Sequence, residues 1–422
     1  MLRSLPFTTV DGVQVGLGGQ LPEGTEGTRG AGGGGAPGGS PPCLTARANR
    51  WAGTMDGHEA EVDGVRQAHP GPGLWIGAVE VYGRTAREEV EAAWMAPGAT
   101  RAHGAGRRRR PEEPDAWRTC FERDRDRILH KSTAFRRLAG KTQVFIFPDD
   151  HQRTRLTHAL EVAQVARAIA QALRLNAALA EAIALGHDCG HGPFGHASED
   201  ALDPLVPGGF DHAPWGADIT LAELNLTAEV SDGIRNHSWS RPAPATPEGE
   251  VTAISDRLAY ATHDAEDAAR AGIVDLADLP AVVTERLGQA RSRQLGTLIG
   301  DVIATSQRTG GIGMSTDAAE ALSALRNWNY ERIYLRPESV AQSRTVHRML
   351  RALVEHYLAR PDHLPERVRT EAGTETGTGT VRAVVAYVAG MTDRFACTQA
   401  ERLMDWQRSE MPEGFDLPPA RR

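Results

Sequence analysis

Apolar residues recur at helical spacing through most of the chain after residue 117. One stripe at positions i, i+3, i+4 and i+7 marks residues 155–174 as an amphipathic helix, and it consists of Val162, Val165, Ala166, Ile169 and Leu173. The alternating pattern that predicts strands is scarce. Helices are predicted at 155–174, 177–186, 252–271, 279–298, 317–326, 343–358 and 381–404, and the predicted fold class is all-α.

Capping signals and breaks support several of these boundaries. Asn176 precedes the second helix, and Asn is a preferred N-cap residue. Gly272 follows the third helix, where glycine typically ends a helix. A Pro-rich stretch at 241–250 and a Gly/Thr/Glu-rich stretch at 371–380 are predicted to be loops.

Glycine is concentrated at the start of the chain, with 23 of its 45 residues within positions 1–110. This stretch includes the run Gly32 to Gly35 and the tract Arg107 to Arg110. Such a composition buries too little apolar surface to offset the entropy lost on ordering. Residues 1–112 are therefore expected to be a disordered extension, or upstream sequence translated from a wrongly chosen start codon. The Arg tract is expected to be solvated.

Charge and cysteine content exclude several classes of protein. The formal net charge is −8, which is unsuited to a protein that coats nucleic acid. No run approaches the roughly 18 apolar residues of a membrane span, and the first twenty residues lack a signal-peptide core. Four cysteines without a CxxC pair exclude a disulfide scaffold and a thiolate zinc finger. We expect an intracellular, cytoplasmic enzyme.

Histidine points to the chemistry, because nine of the 15 histidines lie between His130 and His263. The densest stretch is 186–199, which contains the adjacent pair His187 and Asp188. Such a pair offers one imidazole nitrogen and one carboxylate oxygen to a single ion. This donor set suits Mn, Fe, Co, Ni, Zn or Mg better than a thiolate-seeking metal.

Two further helices carry residues that complete this set. His158 lies near the start of the first helix, and Asp256, Tyr260 and Asp264 recur every four residues on the third. Residues four apart share one helical face. A face of this kind is usually no more than the polar side of an amphipathic helix. In combination with the His–Asp pair and His158, it favours a metal site.

Five segments resemble the bacterial deoxynucleoside triphosphate triphosphohydrolases, which belong to the HD-domain metal-dependent phosphohydrolases. They are RDRDRILHKSTAFRRLAGKTQVF, RLTHALEVAQVARAIA, AIALGHDCGHGPFGHASE, ISDRLAYATHDAEDAARAG and VAGMTDRFA. The resemblance covers residues 117–404. It implies an HD-domain catalytic core at 113–275, a C-terminal helical region at 276–422 packed on that core, and metal ligands at His158, His187, Asp188 and Asp256.

The resemblance also implies roles for neighbouring residues. His196 and Glu199 match the family's catalytic His–acid pair, and whether His196 acts as base or acid is left open. His191 and His212 match positions that face the phosphates, where His191 would join the catalytic group. Substrate contacts are implied for Gln143 near sugar and base, Arg155 and Arg257 at phosphate, and Tyr260 and Asp264 at the deoxyribose. An ordinary structural hydrogen bond is the alternative explanation for each.

The expected reaction is metal-dependent hydrolysis of a deoxynucleoside triphosphate (dNTP) to deoxynucleoside and inorganic triphosphate. The alternatives are another HD phosphohydrolase, acting on nucleoside monophosphates, cyclic dinucleotides or an alarmone, and a non-catalytic nucleotide sensor or single-strand binder. A homo-oligomer and an activating dNTP are consistent with the resemblance, no membrane partner is expected, and nucleic acid is not indicated. The sequence departs from the family at 213–216, which puts the preferred nucleotide in doubt.

Other motifs are given structural interpretations. The GxGxxG pattern at 190–195 follows a helix and contains Pro193, so a dinucleotide site is not expected. His130, His151, His237 and His263 are predicted to be surface or core residues. Cys189 is predicted to serve in packing.

Overall fold

The computed structural model describes residues 46, 48–49, 57–59, 64–69, 77, 80–104, 106–145, 152–374 and 377–412. Most of the Gly-rich stretch, including Gly32 to Gly35, lies outside these residues, as does His151. The chain divides into two units, Met1–Glu80 and Val81–Arg422. In the first unit, strands β1 (His58–Glu59) and β2 (Arg66–Gln67) pair antiparallel, with His58 opposite Gln67.

The second unit is helical, as predicted. Its helices are α1 (Arg84–Trp94), α2 (Cys120–Lys131), α3 (Thr133–Arg137), α4 (Arg155–Ala172), α5 (Ala177–Gly186), α6 (His196–Leu202), α7 (His212–Trp215), α8 (Ala228–Arg235), α9 (Pro247–Arg270), α10 (Ala281–Arg286), α11 (Arg291–Thr309), α12 (Thr316–Asn329), α13 (Pro337–Ala359), α14 (Glu366–Thr374), α15 (Thr378–Ala389) and α16 (Asp393–Met404). Short 3₁₀ turns lie at Leu138–Gly140, His187–Gly190, Asp203–Leu205, Ala222–Leu224, Leu276–Asp278, Pro361–His363 and Arg408–Glu410, and π turns at Gly216–Thr220 and Tyr330–Tyr334. No helix among the described residues combines the length and apolar content that crossing a membrane requires.

The helices that carry the candidate site start and end where local chemistry dictates. Thr154 caps α4 and Asn176 caps α5 through side-chain hydrogen bonds to Thr157 N and Leu179 N. Helix α9 begins five residues before the predicted start, because Thr246 caps it and Pro247 occupies its first turn. Proline is favoured there, since the first helical N–H has no partner within the helix.

Two predicted helices are each interrupted in the structure. The prediction 279–298 is wrong, because α10 ends at Arg286 and Gly288, at φ +92°, breaks the helix before α11. The prediction 381–404 is also wrong, since Gly390 to Thr392 separate α15 from α16. Of the predicted loop at 371–380, residues 371–374 and 378–380 are helical, because α14 extends to Thr374 and α15 starts at Thr378.

Apolar side chains form two cores. The first core surrounds the alanine-rich α5, which lies against α2, α4 and α9. The second core joins α6, α13, α15 and α16. The segment between α5 and α6 contributes to both, with Cys189 in the first core and Phe194 in the second. This segment carries several of the candidate site residues.

The later part of the expected extension differs from the disordered, solvated segment that was predicted. Residues 84–94 form α1, and the guanidinium of Arg108 is 2.5 Å from the fully buried carboxylate of Asp124. Arg110 N donates to Asn225 Oδ1 at 2.9 Å. Local composition could not predict these contacts, because their partners lie elsewhere in the chain. A buried charge is tolerated where such a partner neutralises it.

Candidate functional site

A cavity of about 910 Å³ collects nearly all the predicted site residues. Twelve of the thirteen line it: Gln143, Arg155, His158, Asp188, His191, His196, Glu199, His212, Asp256, Arg257, Tyr260 and Asp264. The thirteenth, His187, is fully buried behind them, with its Nε2 3.6 Å from Asp256 Oδ1. Segments far apart in sequence therefore meet around one space.

Three packed elements bring the predicted metal ligands together. His158 projects from α4 and Asp256 from α9, and His158 Nε2 lies 3.0 Å from Asp256 Oδ1. His187 and Asp188 follow α5 in a 3₁₀ turn. Candidate donor atoms of His158, His187 and Asp256 all lie within 4.8 Å of one another, and those of His187 and Asp188 meet the same limit together with His237.

His187 has the geometry of a metal-binding imidazole. Its Nδ1 donates to Ala184 O at 2.6 Å, and its buried Nε2 has no hydrogen-bond partner among the described residues. A ligating histidine usually donates its second ring nitrogen to a carbonyl or carboxylate in this way. Burial lowers the pKa of His187, and Asp188 and Asp256 raise it, with a net rise to about 9. The site therefore concentrates negative charge that favours a cation.

Arg155 uses two of its three guanidinium nitrogens for hydrogen bonds to residues of the site. Its Nη1 donates to Asp188 Oδ2 at 2.8 Å and its Nε to Thr142 O at 3.1 Å. Its buried Nη2 has no hydrogen-bond partner within the part of the chain that the structure describes. The resemblance implies that Arg155 contacts phosphate, and the structure leaves one amino group of this guanidinium for such a ligand.

Glu199 is surrounded by imidazoles. Its Oε1 lies 3.0 Å from His212 Nδ1, 3.2 Å from His191 Nδ1 and 3.9 Å from His196 Nε2. Burial raises the pKa of Glu199, whereas the neighbouring imidazoles lower it, and the net effect is a lower pKa. The carboxylate is thus closer to His212 and His191 than to His196, the partner implied by the resemblance. The side chain of His196 is largely exposed in the cavity.

His237 is one of the site residues that sequence reasoning missed. Its Nε2 lies 3.1 Å from His212 Nε2, and its Nδ1 donates to Ile234 O at 2.8 Å. Burial and the neighbouring His187 lower its pKa to about 3, so this imidazole is neutral. It belongs to no spacing pattern in the sequence. Its membership of the histidine-rich stretch was the one available signal.

The loop from His191 to His196 depends on close backbone approach. A Cβ on Gly190 would lie 1.9 Å from His212 O, and one on Gly195 would lie 2.1 Å from Arg155 Nη2. Gly195 also has φ +62°, a conformation that glycine adopts without steric cost. These two glycines allow the loop to fold tightly over the cluster.

The far side of the cavity is built from α9 and the π turn Tyr330–Tyr334. Tyr334 donates its hydroxyl to Asp264 Oδ2 at 2.5 Å, and Arg326 Nε donates to the Tyr260 hydroxyl at 3.3 Å. Burial raises the pKa of Asp264 to about 6, although the Tyr334 hydrogen bond lowers it. Sequence reasoning found Tyr260 and Asp264 but not their two partners, which are about 70 residues further along the chain.

Arg257 and Gln143, the two remaining candidates, lie in different surroundings. The Arg257 guanidinium lies 3.6 Å from the ring centroid of Trp239. The Gln143 side-chain oxygen is buried in the cavity wall, and no described residue forms a hydrogen bond with it. Both are placed to contact a molecule that enters the cavity.

Comparison with known proteins identifies the family to which the chain belongs. Residues 155–278 match the HD domain, and residues 312–402 match the phosphohydrolase-associated domain. A deoxyguanosinetriphosphate triphosphohydrolase-like protein of Caldanaerobacter subterraneus is 44% identical over 322 residues, which cover 74% of this chain and 93% of that protein. The chain belongs to this deoxyguanosinetriphosphate triphosphohydrolase-like family.

Other proteins with the same description are also similar to this chain. Proteins with the same description from Clostridium perfringens strain SM101 and Paracoccus denitrificans are 41% and 39% identical, covering 70% and 73% of this chain and 90% and 99% of theirs. A solved hypothetical protein from Aquifex aeolicus aligns at a TM-score of 0.41 and 18% identity over 69% of this chain and 71% of its own, a likeness too weak to carry an argument. The chain is thus an HD-domain hydrolase, with its candidate metal ligands inside the HD match.

Proposed function

We propose that this protein hydrolyses deoxynucleoside triphosphates to deoxynucleoside and inorganic triphosphate with the aid of a divalent metal ion. The observation that carries the proposal is the convergence of His158, Asp188 and Asp256 on one wall of a cavity, with His187 buried behind them. The imidazoles around Glu199 adjoin these residues, with His191 Nε2 3.2 Å from Asp188 Oδ1. The names of the relatives support the same substrate class.

The residues present fit a divalent cation. Nitrogen and oxygen donors are mixed, and the buried, unpartnered Nε2 of His187 offers a lone pair when its Nδ1 carries the proton. When bound, such an ion supplies positive charge that polarises a phosphoryl oxygen. Which of Mn, Fe, Co, Ni, Zn or Mg is native stays open.

Cationic and imidazole groups would hold the triphosphate. The substrate brings about four negative charges into an acidic protein, so local compensation is required. The free amino group of Arg155 and the stacked guanidinium of Arg257 are available for phosphate oxygens. His191 and His212, stacked at 3.7 Å between centroids, would lie beside them.

His196 would move a proton at the α-phosphate. In the reaction, a water oxygen bonds to the α-phosphorus, the bond to the 5′-oxygen breaks, and a proton passes to that oxygen. His196 is exposed in the cavity, so its ring can reach a reacting group there. At the other end, Tyr260 and Asp264 would receive the deoxyribose, with the carboxylate accepting the 3′-hydroxyl proton, and Gln143 would lie near the sugar and base.

The decisive experiment supplies purified protein and Mn²⁺ with each of the four dNTPs, singly and mixed, and separates the products. We expect inorganic triphosphate and the deoxynucleoside, and no turnover after chelation of the metal. Pyrophosphate or orthophosphate as the product would contradict the proposal. Turnover only with mixtures would reveal an activating dNTP. Activity only on nucleoside monophosphates, cyclic dinucleotides or an alarmone would favour another HD phosphohydrolase.

A pair of histidine variants tests the site within the same assay. His196→Asn removes the proposed proton-transfer group, and we expect turnover to fall by about 10²–10⁴-fold. His130→Ala changes a histidine that does not line the cavity and should retain turnover. Equal activity of the two variants would remove His196 from the mechanism.

We also propose a cytoplasmic location and a homo-oligomeric state. The described cysteines, Cys120, Cys189 and Cys397, are free thiols, as a reducing compartment maintains them. Fractionation of cells and light scattering of the purified protein test these two points.

A further inference from the structure

Two buried charged side chains lie beneath the cavity without lining it. Asp393 is 1% exposed and Lys141 is 4% exposed. Neither has a role in the proposed reaction. Burying a charge is costly unless several hydrogen bonds compensate it, so the partners of these two groups indicate what they hold in place.

Asp393 joins two segments that flank the cavity. Its Oδ1 accepts a hydrogen bond from Phe194 N at 2.6 Å, and its Oδ2 accepts one from Thr142 N at 2.6 Å. Phe194 belongs to the loop between His191 and His196, and Thr142 supplies the carbonyl that Arg155 contacts. One carboxylate from the start of α16 therefore fixes both backbones.

Lys141 makes the reciprocal connection. Its Nζ donates to His191 O and, at 3.0 Å, to Ala389 O. Arg137 adds a hydrogen bond from its Nη1 to Gly390 O at 2.9 Å. The α15–α16 connection is thus bonded to the segment around residue 141, and both are bonded to the histidine loop.

The loop needs such support because its backbone is strained. Phe194 has φ +65°, a left-handed conformation that is unfavourable for residues other than glycine. The amide of this same residue receives the Asp393 hydrogen bond. Residues held in sparsely populated conformations persist where the surroundings over-determine them, and they cluster at active sites.

We propose that Asp393 and Lys141 are positioning residues that hold the 191–196 loop with His191 and His196 at the cavity. The inference rests on the proposed function for its catalytic consequence. It also gives the phosphohydrolase-associated region, 312–402, a role: it supplies the carboxylate that sets the loop, while the metal ligands are set by helices of the HD match.

The test compares Asp393→Asn and Asp393→Ala with the wild-type full chain, each loaded with Mn²⁺. Asparagine keeps one acceptor oxygen and alanine keeps none, so the loss should be graded, with alanine the more severe. We expect kcat for dNTP hydrolysis to fall on the order of 10²-fold in the alanine variant, since small misplacements cost this much. KM should change little and bound manganese should stay at the wild-type level. Lys141→Met should act in the same direction.

Asp124→Asn provides the matched control. Asp124 is an equally buried carboxylate that accepts from Thr227 N at 2.7 Å and pairs with Arg108, away from the histidine loop. This variant should lower the melting temperature as Asp393→Asn does, but keep the wild-type kcat. If Asp124→Asn reproduces the kcat loss, the effect of Asp393 is general destabilisation and the positioning role is refuted.

Hydrogen exchange supplies a readout that needs no substrate. Amides of residues 191–198 should exchange faster in Asp393→Asn than in wild type, while those of α4, α5 and α9 stay unchanged. Unchanged exchange with unchanged kcat in the folded variant overturns the positioning role, as does a loss of manganese that parallels the loss of kcat. A wild-type protein that releases no triphosphate defeats the proposed function instead, and the exchange comparison still tests the loop.

Discussion

The two walls of the cavity are held by different means. The metal wall, His158, His187, Asp188 and Asp256, rests on α4, α5 and α9, whose faces are fixed by packing in the first core. The loop wall, from His191 through His212, rests on a strained turn and short helices bonded to distant side chains. Helices buried on several sides constrain their side chains strongly, whereas a loop must be held by specific contacts. The walls should therefore respond differently to substitution.

The largest effect is expected on the metal wall, from Asp256→Ala. The variant removes a carboxylate whose oxygen lies 3.0 Å from His158 and 3.6 Å from His187. We expect loss of bound metal and a fall in turnover on the order of 10³-fold, since a metal ion supplies several kcal/mol of charge stabilisation. Metal analysis and product assays check both. Glu266→Gln, on the same helix but outside the cavity lining, is the control, and full activity of Asp256→Ala would refute the ligand assignment.

His237→Ala tests where the two walls join. His237 lies beside His187 and Asp188 and touches His212, so its removal should affect both metal affinity and turnover. We expect about a 10- to 100-fold loss in either quantity, the range seen when a supporting residue of a metal site is removed. Titration with Mn²⁺ and steady-state kinetics measure these effects. His263→Ala, an equally buried histidine that does not line the cavity, should leave both near wild type.

Asp264→Asn is expected to weaken substrate binding and yet stabilise the fold at neutral pH. The pKa of Asp264 is about 6 in the folded protein against an ordinary 3.8, so the folded state binds this proton more tightly. The contribution of Asp264 to stability therefore falls as pH rises from about 4 to about 6 and stays low above that. The free energy of unfolding of the variant should exceed that of wild type by up to about 3 kcal/mol at pH 7 and equal it at pH 3. Its KM should rise about tenfold, because a hydrogen bond to the substrate is weakened.

Tyr334→Phe is expected to lower stability at neutral pH, the opposite of the effect expected from Asp264→Asn. Its hydroxyl donates to the Asp264 carboxylate and so lowers the pKa of that group. Without the hydroxyl, the pKa should rise further and the loss of stability should extend to higher pH. Denaturant unfolding of both variants across pH 3 to 8 checks this. Parallel curves for wild type and Asp264→Asn would show that Asp264 does not titrate in this range.

The smallest effect on turnover is expected from Arg108→Ala, which touches neither wall. Removing one partner of a buried ion pair is expected to cost about 3–5 kcal/mol of stability, because Asp124 is left uncompensated. Turnover per folded molecule should be unchanged. Arg109→Ala, at an exposed neighbour, should alter neither property. A kcat loss in folded Arg108→Ala would show that this region communicates with the cavity.

The sequence predicted which residues share a helical face better than which distant segments meet, for a physical reason. Helical periodicity assigns Asp256, Tyr260 and Asp264 to one face before any tertiary contact is known. Nothing comparable links His237 to His187, or Tyr334 to Asp264, since those neighbours meet only after distant segments pack. The interrupted helices follow the same logic: apolar spacing continues across Gly288, but its backbone at φ +92° does not remain helical.

The contacts of Glu248 set a limit on how far the protein can be shortened. This buried carboxylate at the start of α9 accepts hydrogen bonds from Thr100 N and its hydroxyl, at 3.0 and 2.7 Å, and from Asn176 N at 2.9 Å. A trimmed chain starting after Arg110 would lose Thr100 together with Arg108. Buried Asp124 would lose its guanidinium partner, and Glu248 would keep only the hydrogen bond from Asn176 N of those three. A shortened chain for crystallisation should therefore retain Thr100, since its loss would loosen the first turn of the helix that carries Asp256.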